Sequence, residues 1–129
     1  MRKLSVGIAS VLFGLVFTSS GYAHGLAGSS WVVQGNSKQV LQFGPVGRLY
    51  GNGGCNRFFG TYTEEDAHVL KVGPIAGTRK LCEKNVMEAE RRFFKSLEAT
   101  ASFRLNKSGT VLTLVFANGK RSLRFNVNE

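Results

Sequence analysis

Gly53-Gly54-Cys55-Asn56-Arg57-Phe58-Phe59-Gly60-Thr61-Tyr62 is the stretch that decides the fold. Two glycines precede a cysteine, so the backbone there can take a positive φ or let a neighbouring group come close. From Arg57 the residues alternate as a pleated strand requires. Phe58, Gly60 and Tyr62 share one face, and Arg57, Phe59 and Thr61 share the other. Asn56 sits in the bend, where its short amide can satisfy backbone donors and acceptors or tolerate a left-handed conformation.

Upstream, Arg48-Leu49-Tyr50-Gly51 leads into this strand. Gly44-Pro45-Val46-Gly47 reverses the chain after Gln39 to Phe43, where Leu41 and Phe43 fall on one face, so these two short strands form a predicted hairpin. Leu26 to Val33 reads as the first strand, with Trp31 as its core residue. Downstream, Glu64-Glu65-Asp66 makes a solvated tip and Val69 to Val72 returns from it. Gly73-Pro74 ends that return, and Ile75 to Thr78 is a brief extended piece leading to Cys82. Val86, Met87, Ala89, Phe93, Phe94 and Leu97 follow helical spacing, with Arg91, Arg92, Lys95 and Glu98 on the opposite face. Asn85 with Glu88 three residues later resembles a capping box. Three more alternating strands carry Phe103 and Leu105, then Leu112, Leu114 and Phe116, then Leu123, Phe125 and Val127. Asn118-Gly119 is a strong two-residue turn signal between the last two. The expected fold class is α+β: a strongly curved, half-barrel-like antiparallel sheet packed around one α-helix.

The first 23 of the 129 residues read as a cleaved signal peptide. Arg2 and Lys3 are the basic start, Leu4 to Phe17 is the apolar run, and Gly21-Tyr22-Ala23 fits the small-x-small cleavage rule. The apolar run is short for a bilayer span. Residues 24–129 then form one domain with a single modest core. The whole chain has 17 basic and 8 acidic residues; without Arg2 and Lys3 the surplus is +7. That surplus favours anionic partners: lipopolysaccharide, phospholipid headgroups, acidic polymers or nucleic acid. Nucleic acid is the least available of these outside the cytoplasm, and plain colloidal solubility is the competing reading. Cys55 and Cys82, the two cysteines of an exported domain, are expected to form a disulfide that ties the sheet to the start of the helix. A reactive or metal-binding pair is the alternative.

On Gly53-Gly54-Cys55-Asn56-Arg57-Phe58-Phe59-Gly60-Thr61-Tyr62, followed by Thr78-Arg79 and Cys82, the chain resembles the META-domain family, the HslJ-like heat-shock proteins. Leu26-Ala27-Gly28 with Trp31 and the Leu112-x-Leu114 strand fit the same pattern, so the likeness spans residues 26–127. It departs where the family commonly has Met between Arg79 and Cys82, because Lys80-Leu81 stand here. The resemblance implies a small β-rich domain of the bacterial envelope associated with stress tolerance. It also implies kinship with domains linked to secretion and virulence in some parasites, and no catalytic activity.

The residues agree with that last point. His24, His68 and Asp66 have no serine in a G-x-S-x-G elbow to serve. Neither glycine-rich string continues as a phosphate loop, and Glu64, Glu65 and Asp66 are neighbours on a tip rather than facing carboxylates. The domain is therefore expected not to be an enzyme and to need no cofactor. His24, as a new N-terminus, could chelate copper with His68. Against it, His24 reads as a terminal residue and His68 as a hairpin side chain, so no metal is expected. Gly53, Gly54, Asn56, Phe58, Gly60, Tyr62, Thr78 and Arg79 are assigned structural roles. Arg57, Phe59, Arg104, Arg121 and Arg124 are the expected binding surface. The expected role is a monomeric, periplasmic or outer-membrane-associated stress module that binds an anionic envelope component, with possible peripheral membrane association. The alternative is an interaction or inhibitor module for an exported protein, using the Pro45 hairpin and the Glu64-Glu65-Asp66 tip.

Overall fold

The computed structural model describes residues 25–129. The expected signal peptide, residues 1–23, and His24 lie outside the described residues. The strands are β1 (Ser29–Val33), β2 (Asn36–Phe43), β3 (Arg48–Gly53), β4 (Arg57–Glu65), β5 (Val69–Val72), β6 (Ala76–Gly77), β7 (Thr100–Leu105), β8 (Val111–Phe116) and β9 (Arg121–Val127). Among the described residues a single helix, α1 (Lys84–Glu98), falls between β6 and β7, and a 3-10 turn at Pro45–Gly47 joins β2 to β3.

The curved antiparallel sheet is present, but it is closed rather than half-open. β3 pairs with both β2 and β4, and β1 pairs with β9 through Trp31↔Val127, Val32↔Asn126 and Val33↔Phe125. Eight strands thus form a ring in the order β1-β2-β3-β4-β5-β7-β8-β9. The fragment β6 continues the line of β5 alongside β4, after a break at Gly73–Ile75. The half-barrel expectation is corrected for a physical reason: alternation fixes which face a residue occupies, but not whether the first and last strands meet.

A barrel of eight strands has an interior that side chains alone can fill. Phe43, Phe58, Phe125, Leu41, Leu49, Leu70, Leu112 and Leu114 point inward and are fully buried. Phe43 meets Tyr62 edge-to-face at 5.0 Å between ring centres, and Phe58 meets Phe93 of the helix at 5.9 Å. Such pairs add roughly 0.5–1.5 kcal/mol beyond the area they bury.

The helix does not lie on a concave sheet face, as expected. It covers one mouth of the barrel. Phe93 and Leu97 drop into the core, and the carbonyl of Ala89 accepts a 3.3 Å hydrogen bond from Gln39 at the start of β2. Its far end sits beside Phe116 at the end of β8. The β5–β7 seam is thin, a single residue pair, Val69↔Ser102, with Phe103 N–H donating to the His68 carbonyl at 2.9 Å. At the opposite mouth Leu26 is buried, and its N–H donates to Glu64 Oε1 at 3.0 Å.

The capping box is also corrected. The helix begins at Lys84, so Asn85 lies inside the first turn; Glu83 is the cap residue and makes no side-chain capping bond. The Glu83 carbonyl instead accepts the Met87 N–H at 3.0 Å.

Candidate functional site

The bend from Gly53 to Asn56 is a dense polar junction between strands and helix. Its two glycines solve different problems. Gly54 takes a φ of 114°, which a side chain would resist, whereas Gly53 provides clearance. A Cβ on Gly53 would stand 2.6 Å from Glu90 Cγ and 2.7 Å from Phe94 Cε1. The chain therefore turns directly under the helix.

The turn aims two successive amides at one helix side chain. The N–H groups of Cys55 and Asn56 both donate to Glu90 Oε2, at 3.0 and 2.6 Å. Asn56 Nδ2 donates to Glu90 Oε1 at 2.9 Å. Consecutive amides that converge in this way form an anion-binding nest, and here the anion belongs to the chain itself. Glu90 is only 7 % exposed. Buried carboxylates need such partners, and charge-assisted bonds are the strong ones.

Asn56 extends the junction to the next segment. Its Oδ1 accepts from Thr78 Oγ1 at 2.9 Å and from the Lys80 N–H at 2.6 Å. Cys55 and Cys82 are disulfide-bonded with Cα atoms 6.1 Å apart, which fastens the same loop to the start of the helix. A bond of this kind persists in oxidising compartments. Thr78 thus joins the junction, while Arg79 stands exposed outside it. Phe58 and Tyr62 are core residues, and Tyr62 also donates its hydroxyl to the Gly44 carbonyl at 2.9 Å. Gly60 faces Pro74, whose carbonyl oxygen would stand 2.9 Å from an added Cβ.

Sequence reasoning missed Glu90 and Gln39. Both carried a signal. Glu90 falls on the stripe of Val86, Phe93 and Leu97, where a charged residue needs an explanation. Gln39 alternates with Leu41 and Phe43, is buried, and donates to the Gly53 carbonyl at 3.2 Å.

The expected binding surface is not one surface. Arg57 and Phe59 lie on β4, and Arg121 and Arg124 lie on β9, four strands away in either direction round the ring. Arg104 on β7 flanks Thr113 of β8 together with Arg124. Closure puts the two groups on opposite walls. On the β4 wall, Phe59 is registered with Tyr50, and the pair is 56 % and 40 % exposed. Grooves lie on either side of this pair, one lined by Val40, Asn52, Arg57 and Thr78, the other by Val46, Arg48 and Thr61. Val46 projects from the β2–β3 turn, 92 % exposed.

Charge is distributed by end rather than by wall. Lys84, Arg91, Arg92 and Lys95 are exposed on the helix, with Arg79 and Lys80 just before it. Lys38, Lys120 and Arg121 stand on the strand ends beside it. With Arg57 at the start of β4, these ten basic groups face Glu83, Glu88, Glu90 and Glu98, a surplus of six at the helix mouth. The other mouth has Glu64, Glu65, Asp66 and Glu129 against Arg48, Arg104 and Lys107, a deficit of one.

Among the described residues no three His, Cys, Asp or Glu side chains converge as a metal site. The proposed copper partner of His68, His24, lies outside the described residues. Among the described residues no helix is long and apolar enough to cross a membrane.

A closed eight-stranded barrel with a helix latched over one mouth defines the structural class. A META-domain sequence profile matches residues 22–129, and the chain belongs to the META-domain family. Among solved structures it is similar to the NMR structure of a protein from Burkholderia xenovorans: TM-score 0.64, 23 % identity, covering 88 % of this chain and 93 % of that one. It is also similar to the crystal structure of a DUF4847-family protein from Bacteroides vulgatus: TM-score 0.63, 13 % identity, covering 84 % and 98 %. At these identities the likeness is one of fold. No curated protein matches the chain.

Proposed function

We propose that this META-domain protein is a non-catalytic, stress-associated binding module of the cell envelope that attaches to an anionic envelope component, free in the periplasm or at the outer membrane. The observation that carries this reading is the polarity of charge: a surplus of six basic groups at the helix mouth and a deficit of one at the other. Such a dipole orients the molecule toward a negatively charged surface and speeds its encounter with one. The Glu90 carboxylate supports a non-catalytic role, since three protein donors already engage it. The protein acts as a monomer and needs no cofactor.

Co-sedimentation with lipopolysaccharide and with phosphatidylglycerol vesicles tests the reading. Binding should be strong at ~0.05 M salt and largely lost at ~0.5 M, as screening shortens the reach of the charges. Binding that is absent or indifferent to salt defeats it.

A second reading, a module that engages an exported protein, is favoured by one observation. Val46, Tyr50 and Phe59 expose a contiguous apolar edge beside two grooves. If that edge is the working surface, Phe59→Ser should abolish capture of a stoichiometric, identified envelope protein while leaving anionic vesicle binding intact.

A further inference from the structure

Leu81 is 88 % exposed, a large apolar side chain held in water between Lys80 and the disulfide residue Cys82. The loop that presents it is not loose. The Lys80 N–H and carbonyl are both held by the Asn56 side chain, at 2.6 and 3.4 Å, and Cys82 is bonded to Cys55. An exposed leucine on a rigid loop costs little entropy when it is buried by a partner. Around it stand Arg79, Lys80 and Lys84, and beyond them Arg91 and Lys95 along the exposed face of the helix.

We infer that the helix mouth docks on an anionic lipid bilayer, with Leu81 inserted among the acyl chains and Lys80 and Lys84 at the headgroup phosphates. The inference rests on the proposed attachment to an anionic envelope component and names its chemistry and contact point. The combination of groups favours lipid over a soluble polyanion. Cations alone would suit any polyanion, but an apolar tip flanked by Lys80 and Lys84, with Glu83 the one acidic neighbour, gains only where hydrocarbon lies beneath the negative charge. Long basic side chains suit that boundary because their stems lie along apolar surface while their heads stay at the phosphates.

The test uses the disulfide-bonded protein with three probes: phosphatidylglycerol vesicles, phosphatidylcholine vesicles and soluble polyphosphate. Binding to phosphatidylglycerol but not phosphatidylcholine is expected. Leu81→Ala should weaken that binding about tenfold, in line with the removal of a buried branched side chain, and leave polyphosphate affinity unchanged. Leu105→Ser, at the far mouth of the barrel, should change neither. In Leu81→Trp the new indole should shift to the blue and be quenched by brominated acyl chains, against a constant background from buried Trp31. Unchanged vesicle binding in Leu81→Ala, or no spectral shift in Leu81→Trp on vesicles that it binds, overturns the insertion while attachment to an anionic partner stands. Binding to polyphosphate without binding to vesicles has the same consequence. Binding to none of the three, and none to lipopolysaccharide, overturns both.

Discussion

Asn56 and Glu90 grip each other twice: the Asn56 N–H donates to Oε2 at 2.6 Å and its side-chain Nδ2 donates to Oε1 at 2.9 Å. With the Cys55 N–H also donating to Oε2, this latch holds the helix to the β3–β4 bend. Glu90→Ala would leave two backbone amides without their acceptor and should cost about 3 kcal/mol. Glu90→Gln keeps one acceptor but sets its amide against Asn56 Nδ2, so about 2 kcal/mol is expected. Urea denaturation of both variants checks the order, and equal stability to the parent would show that the latch is idle.

The disulfide closes a loop with a sequence separation of 27. In the chain-entropy model its reduction should remove about 3.5 kcal/mol. The midpoint of guanidinium unfolding should fall with reductant present. Because the bridge and Glu90 restrain the same loop, Cys82→Ser and Glu90→Ala should not add, and a double-mutant cycle will measure the coupling.

Val46 occupies the left-handed region, φ 49° and ψ 42°, although it is β-branched and almost wholly exposed. That conformation costs a side chain roughly 1–2 kcal/mol. Val46→Asn, which tolerates it, should raise stability by about 1 kcal/mol in thermal unfolding. If Val46 serves the second, protein-binding reading, the same variant should weaken partner capture as it stabilises the fold.

Burial, and secondarily the charge of Glu64, raises the Tyr62 hydroxyl above its ordinary 10.0. The folded state then holds this proton more tightly than the unfolded state does. Its contribution is complete below pH 10.0 and is lost as pH rises through the higher folded value. Tyr62→Phe should cost about 1 kcal/mol at neutral pH through the lost bond to the Gly44 carbonyl. It should also flatten the alkaline fall in stability, measured as melting temperature against pH. An unchanged alkaline limb would count against the assignment.

The sequence by itself determined the elements and their faces, because those are set by local periods. Arg57 to Tyr62 alternates, so Phe58 and Tyr62 face inward and Arg57, Phe59 and Thr61 outward, and they do. Phe93 and Leu97 repeat at helical spacing and are buried, while Arg91, Arg92 and Lys95 are exposed. Only the tertiary structure decided what depends on distant segments meeting. The pairing of β1 with β9 turns a half-barrel into a barrel, and no local pattern in Trp31 or Val127 announces that register. That closure separates Arg57 and Phe59 from Arg121 and Arg124, since strands four apart on a ring face away from each other. Glu90 and Asn56 are 34 residues apart, so a glutamate on an apolar stripe gains its meaning only when the fold brings a nest of amides to it. Local periodicity selects the face a side chain occupies; long-range pairing selects its neighbours.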